Sequence, residues 1–175
     1  EYLLHFDIDK RNFTIVDVDG DGHKLQQYNR LLFCDSKKRI WAGGEMGISV
    51  FNQVGTSLLP NTDFQIASVL KQAFVNCFYE TSSGYLWIGT RNGLFALKES
   101  DKQFLQYTTE NGLPSNVIYG ILEDAYGRLW ISTNQGLSCL NSESGKFRNF
   151  TIMDGLQGNQ FNAGAYCRKD NGYML

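Results

Sequence analysis

The six residues Asp17-Val-Asp19-Gly-Asp21-Gly22 place three carboxylates at alternate positions, with glycine at the sixth for a sharp turn. That is how a calcium-binding loop opens, and it makes Asp17, Asp19 and Asp21 the candidate metal ligands. The twelfth position, where a bidentate glutamate belongs, holds Tyr28, and Lys24 intrudes. A Ca²⁺ site would therefore draw further ligands from elsewhere, and an acidic turn between strands is the favoured reading. No other cofactor is implied. Glycoside hydrolysis would need two carboxylates flanking one bond. Asp35, Glu80 and Glu123 recur once per repeating segment, which reads as turn chemistry and not as a unique acid–base pair. His5 lies in an apolar stretch and His23 in the acidic loop, and neither accompanies a nucleophile motif such as GxSxG. The chain reads as non-catalytic.

Four cysteines, Cys34, Cys77, Cys139 and Cys167, all fall in apolar strand patterns with no CxxC pair. Buried free thiols are expected in preference to disulfides or zinc ligands. The formal net charge of −2, with no basic run, excludes a nucleic-acid footprint for this segment. No apolar stretch reaches the roughly 18 residues that a membrane-spanning helix needs. The opening EYLLHFDID reads as a strand already under way, so both ends read as lying within a longer chain.

The elements that position these side chains are repeats. Trp41, Trp87 and Trp130 sit in near-copies of one phrase, spaced 46 and 43 residues apart, and RKDNGYML begins a further copy at the end. A period near forty-five with several short strands is the pattern of a β-propeller. In the third copy VIYGILE is the inner strand, RLWIST the second, LSCL the third and KFRNFT the outer fourth. The second copy reads FVNCFYE, YLWIGT, GLFALKE and KQFLQYT. In the first copy a less regular stretch from Asn52 to Lys71 is expected in place of a fourth strand. The expected fold is all-β: four-stranded antiparallel blades over 29–72, 73–115 and 116–158, a half-blade over 1–28, and the start of another over 159–175. The tryptophans are expected to fill the gaps between blades. Part of a larger propeller is favoured over a closed four-bladed ring.

The phrases Gly84-Tyr-Leu-Trp87-Ile-Gly-Thr90-Arg-Asn-Gly93-Leu and Gly127-Arg-Leu-Trp130-Ile-Ser-Thr133-Asn-Gln-Gly136-Leu carry a family resemblance. So do the inter-blade phrases Asn111-Gly-Leu-Pro-Ser-Asn116 and Asp154-Gly-Leu-Gln-Gly-Asn159. Together they resemble the two-component-regulator propeller repeat, over nearly the whole chain. The resemblance implies the periplasmic part of an inner-membrane protein of Bacteroidetes, anchored through sequence outside this segment. It also implies a hybrid system whose histidine kinase activity lies elsewhere and which pairs as a homodimer. An oligosaccharide or other small ligand is the implied partner, and control of polysaccharide-utilisation genes the implied output. The alternatives are a protein-interaction propeller scaffold and, in third place, a propeller glycoside hydrolase or lyase. Asp124-Ala-Tyr-Gly127 is similar to the Asp-box hairpin of sialidase propellers, but its Asp and Gly stand three apart instead of two.

Strand direction places the loop before each inner strand on the same face as the turn between second and third strands. That face collects Arg91, Asn92, Asn116, Asn134, Gln135, Asn159 and Gln160, with Glu45, Met46 and Ser115. Amide side chains offer paired donors and acceptors, and Arg91 a planar fork for carboxylate or sulfate. Asn also suits such turns for backbone reasons alone.

Overall fold

The computed structural model describes residues 3–7, 12–16, 29–55, 57–63, 65–98, 103–141 and 144–164. The chain divides into two compact units, Glu1–Gln72 and Ala73–Leu175.

In the first unit, β1 (Leu3–Asp7) pairs antiparallel with β2 (Asn12–Val16). A four-stranded antiparallel sheet follows in the order β3 (Asn29–Cys34), β4 (Arg39–Gly44), β5 (Gly47–Val54), β6 (Ser57–Pro60). The first copy thus has a fourth strand, which the sequence reading replaced by irregular chain. At four residues ending in proline, β6 carries no alternation to read, yet an edge strand tolerates Pro60 opposite Phe51. Leu58 on β6 packs with Ala42 and Phe51. A short helix, α1 (Gln65–Val69), brings in the buried Ile66.

The second unit holds two sheets of the same design. One runs β7 (Val75–Glu80), β8 (Tyr85–Thr90), β9 (Gly93–Lys98), β10 (Gln103–Tyr107). The other runs β11 (Ile118–Glu123), β12 (Leu129–Thr133), β13 (Gly136–Asn141), β14 (Lys146–Phe150). The strands β8 and β9 are buried along nearly their whole length, as strands sandwiched on both faces must be. Trp87, Leu94 and Ala96 of one sheet pack with Ile121, Leu129, Ile131 and Leu140 of the next. Trp87 therefore lies where its spacing placed it, between blades. Trp41 is fully buried, whereas Trp130 is half-buried and stacks on Phe150 at 5.5 Å.

Each of the three inner strands carries a register shift at its second residue, between Asn29 and Leu31, Val75 and Cys77, and Ile118 and Gly120. Such a bulge re-aims a side chain. In β7 the re-aimed residue is Asn76, whose buried Nδ2 donates to the Ile118 carbonyl at 2.7 Å and staples one inner strand to the next.

The first turn of each hairpin is capped by the residue six before its tryptophan. Asp35 accepts from the backbone N–H groups of Lys37 and Arg39, from Arg39 Nε and from Trp41 Nε1. Asp124 does the same for Tyr126, Arg128 and Trp130. The register of acids read from the sequence was one residue out: Asp35 corresponds to Thr81 and Asp124, not to Glu80 and Glu123. Thr81 has no carboxylate to offer, and Trp87 Nε1 is buried without a hydrogen-bond partner. Blade-to-blade help arrives instead from Glu123, which accepts from Ser82 N and Ser82 Oγ, both at 3.0 Å.

Cys77 and Cys139 are free and buried, as expected. Cys34 is free but exposed, which corrects the expectation for it. Its strand is half-open at this point, alternating with Leu32, which is 54 % exposed. Cys167 lies outside the described residues.

Candidate functional site

The turns between second and third strands in the second unit are built by a buried threonine. Thr90 Oγ1 donates to the Gly93 carbonyl at 2.8 Å and accepts from Asn92 N at 2.9 Å. Thr133 repeats this with Gly136 and Gln135. Glycine closes each turn because φ is 120° at Gly93 and 107° at Gly136, and a Cβ at Gly93 would stand 2.6 Å from the Tyr107 carbonyl.

Backbone hydrogen bonds tie these turns to the loops that lead into the neighbouring inner strands. Gly93 N donates to the Asn116 carbonyl at 2.8 Å, and Gly136 N to that of Asn159. Arg91 N donates to the Phe74 carbonyl and Asn134 N to that of Val117. Phe161 N closes the series on the Thr133 carbonyl. The turns at 91–92 and 134–135 and the loops at 116 and 159–160 thus form one continuous band across the unit. All seven residues singled out for ligand binding lie on it.

Within that band their side chains divide by occupation. Asn116 Oδ1 accepts from Thr109 N at 2.8 Å and Asn159 Oδ1 from Ile152 N at 2.8 Å. Each asparagine ties down a 3₁₀ turn that Thr108 or Thr151 caps, so its carbonyl holds the loop in shape. Gln160 Nε2 donates to Asn134 Oδ1 at 3.3 Å, which ties two neighbouring turns together. The amides of Asn92 and Gln135 are exposed and make no side-chain hydrogen bond among the described residues. Arg91 is exposed, with its guanidinium carbon 3.7 Å from the centre of the Phe74 ring.

One participant, Phe74, escaped sequence reasoning. Phe74 precedes its strand and stands seventeen positions from the arginine it supports, so no local pattern links them. The threonines were legible, since each closes the Trp-Ile-Gly/Ser-Thr phrase, but their hydroxyl geometry was not.

The remaining candidates for chemistry are otherwise engaged or lie elsewhere. Burial works against the charge on Asp35, but hydrogen bonds from Trp41 and Arg39 outweigh it and hold the carboxyl below its usual value. Asp124 is held low in the same way by Trp130 and Arg128. Burial pushes the Cys77 thiol up to about 12. Asp17, Asp19 and Asp21 lie outside the described residues. Among the described residues no group of three or more His, Cys, Asp or Glu side chains could hold a metal ion, and no helix is long and apolar enough to cross a membrane.

The family model described as two component regulator propeller matches residues 70–92 and 112–135. The chain carries two-component-regulator propeller repeats. Each matched segment runs from an inter-blade loop through two strands into the turn bearing Arg91 and Asn92, or Asn134 and Gln135, so the repeat itself presents the band. No curated protein matches the chain significantly.

Among solved structures, these repeats are similar to the extracellular domain of BT3049 from B. thetaiotaomicron, assigned as a hybrid two component system. The TM-score is 0.76 at 21% identity, covering 99% of this chain and 26% of that one. The extracellular domain of BT4673 from the same organism aligns at TM-score 0.69 and 18% identity, covering 99% of this chain and 23% of that one. The chain therefore spans about a quarter of these two relatives. YCF48 bound to D1 peptide aligns at TM-score 0.56 and 11% identity, covering 89% of this chain and 50% of that one. At these identities the likeness is one of propeller fold.

Proposed function

We propose that the chain is part of the ligand-sensing ectodomain of a hybrid two-component signalling protein of Bacteroidetes, held in the periplasm by an inner-membrane anchor outside this segment. The ligand is an oligosaccharide, and its detection regulates polysaccharide-utilisation genes. One observation carries the reading. The repeat turns are locked by backbone and threonine hydrogen bonds, yet they leave the side chains of Arg91, Asn92 and Gln135 exposed on one band. A rigid scaffold offering amides, each with donors and an acceptor, suits ligands rich in hydroxyl groups. The likeness to extracellular domains assigned to two-component systems supports the sensor role. Signalling follows if the ligand binds one arrangement of a homodimeric ectodomain better than the other.

The test is a thermal-shift screen of the intact ectodomain against an oligosaccharide panel. A ligand held by the folded state at about 100 times its dissociation constant adds roughly 2.7 kcal/mol. A selective shift, lost on substituting Asn92 and Gln135, supports the reading, and silence across the panel refutes it.

A second reading is favoured by a different observation. Ile152 and Met153, on the inter-blade loop at the rim of the band, are 54% and 89% exposed. Exposed apolar side chains beside polar turns suit a peptide partner, and the structurally similar YCF48 is seen bound to D1 peptide. Pull-down with the purified ectodomain, compared between wild type and Met153→Glu, separates this from sugar sensing.

A further inference from the structure

The arginines of the described residues fall into two groups. Arg39 and Arg128 each grip the carboxylate of their own hairpin, and Arg30 pairs with Glu45 at 2.8 Å. Arg39 and Arg128 also lie over rings, at 5.1–5.8 Å, whereas Arg91 and Arg148 have a ring and no carboxylate among the described residues: Phe74 at 3.7 Å and Phe150 at 4.8 Å. Of these two, only Arg91 stands on the band of turns. Its guanidinium makes no hydrogen bond or ion pair with any described residue, and its backbone N–H is already spent on the Phe74 carbonyl.

The stacked geometry has a consequence for what Arg91 can bind. A guanidinium lying face-on to a ring uses its π-face and leaves the N–H edges outward. The ring also restricts a long side chain before any ligand arrives, so less rotational freedom is lost on binding. The equivalent position in the next blade is Asn134, whose N–H donates to the Val117 carbonyl, and that pair has neither charge nor ring. A cation is therefore not something the turn requires. The neighbouring Asn92 amide is exposed on the same turn and adds a neutral donor. A planar edge of paired N–H donors matches a carboxylate or sulfate bidentately and matches a neutral hydroxyl poorly.

We infer that Arg91, braced on Phe74, is an anion-recognising subsite, and that the ligand is an acidic oligosaccharide bearing a uronate carboxylate or a sulfate ester. This rests on the oligosaccharide-sensing reading above and adds the charge of the sugar to it.

The experiment is calorimetric titration of the intact ectodomain with oligogalacturonate and its carboxyl-reduced form, and with a chondroitin sulfate oligosaccharide in its intact, desulfated, carboxyl-reduced and doubly treated neutral forms. Wild type, Arg91→Lys, Arg91→Ala and Phe74→Leu are compared, with unchanged circular dichroism confirming that each variant is folded. The expected result is binding of a charged probe that weakens with added salt and is lost in its neutralised form. Arg91→Ala should weaken it by about 10-fold or more, the loss expected for charge-assisted hydrogen bonds. Arg91→Lys should keep only part of it, because an ammonium cannot make the paired contact. Binding abolished by carboxyl reduction identifies the anion as carboxylate, and binding of chondroitin sulfate abolished by desulfation alone, with its glucuronate intact, identifies it as sulfate. If charged and neutralised probes bind equally and Arg91→Ala changes nothing, the anion subsite is overturned while sugar sensing stands. If none of these probes binds in any form, the anion subsite is overturned, and the remaining members of the thermal-shift panel decide separately whether sugar sensing stands.

Discussion

A side chain introduced at Gly89 should disrupt the seam between the two blades of the second unit, and the chain itself holds the compensating change. Gly89 on β8 pairs directly with Cys77 on β7. A Cβ built on Gly89 would overlap Cys77 Sγ and come within 2.8 Å of Ile118 Cγ2 in the next blade. The corresponding pair in that next blade is Gly120 and Ser132, with the glycine on the other strand. In the first unit it is Leu31 and Gly43. Every described blade keeps one of these two partners as glycine, and at the 77–89 pair the space holds one side chain and not two.

Gly89→Ser alone should therefore overpack the seam by about 1–3 kcal/mol. Cys77→Gly alone should cost roughly 1–2 kcal/mol, from the lost buried thiol and the added backbone freedom of glycine. The double variant recreates the pair found in the next blade. It should be more stable than the sum of the singles by about 1 kcal/mol or more, with relief incomplete because Ile118 remains. Hydrogen exchange of the β8 and β11 amides in the intact protein reads the opening free energy of this seam without assuming a two-state whole. Additivity within about 0.5 kcal/mol would refute the shared-space explanation.

Thr81→Asp would set one carboxylate oxygen on Tyr85 N–H, as Thr81 Oγ1 is now, and the other where Asp35 and Asp124 receive their tryptophans, so Trp87 Nε1 would gain its missing acceptor. The expected gain is about 0.5–1.5 kcal/mol by the same exchange measurement, and no gain would refute the vacancy. Asp124→Asn tests the sign of the lowered carboxyl. The ionised aspartate stabilises the fold above its unfolded value near 3.8 and loses that contribution as pH falls through the lower folded value. The stability deficit of the variant should thus be full at neutral pH and shrink below about pH 4, and a deficit that persists undiminished at pH 2 would contradict the ionic origin. Thiol labelling of the folded protein should modify Cys34 first and leave Cys77, raised to about 12 by burial, untouched until the sheet opens. Equal rates at the two sites would show that β7 is not packed as described.

What the sequence disclosed, and what it withheld, follows from how far each interaction reaches along the chain. Blades were legible because tryptophan, glycine and threonine repeat at fixed offsets, and each offset maps to one place on a strand. The acid register failed at short range, since Asp35 stands six before its tryptophan while Glu80 and Glu123 stand seven before theirs. Counting acids without fixing the tryptophan merged two positions with opposite roles. One caps its own hairpin, as Asp124 does. The other, as Glu123, reaches across to Ser82 in the preceding blade.

The band of turns was foreseen from strand direction, but occupation of its side chains was not. Asn116 and Arg91 are both polar turn residues in the sequence. Only geometry shows that the first has its carbonyl committed to Thr109 while the second is propped on Phe74. Repetition supplies the scaffold, so a position essential to the scaffold should look alike from blade to blade. Asn116 and Asn159 meet that expectation in both residue type and hydrogen bond. Arg91 and Asn134 do not, and in a repeat array a turn position free to differ is one where a blade can acquire a contact of its own. Divergence between blades, more than conservation of the motif, is therefore what directs attention to Arg91.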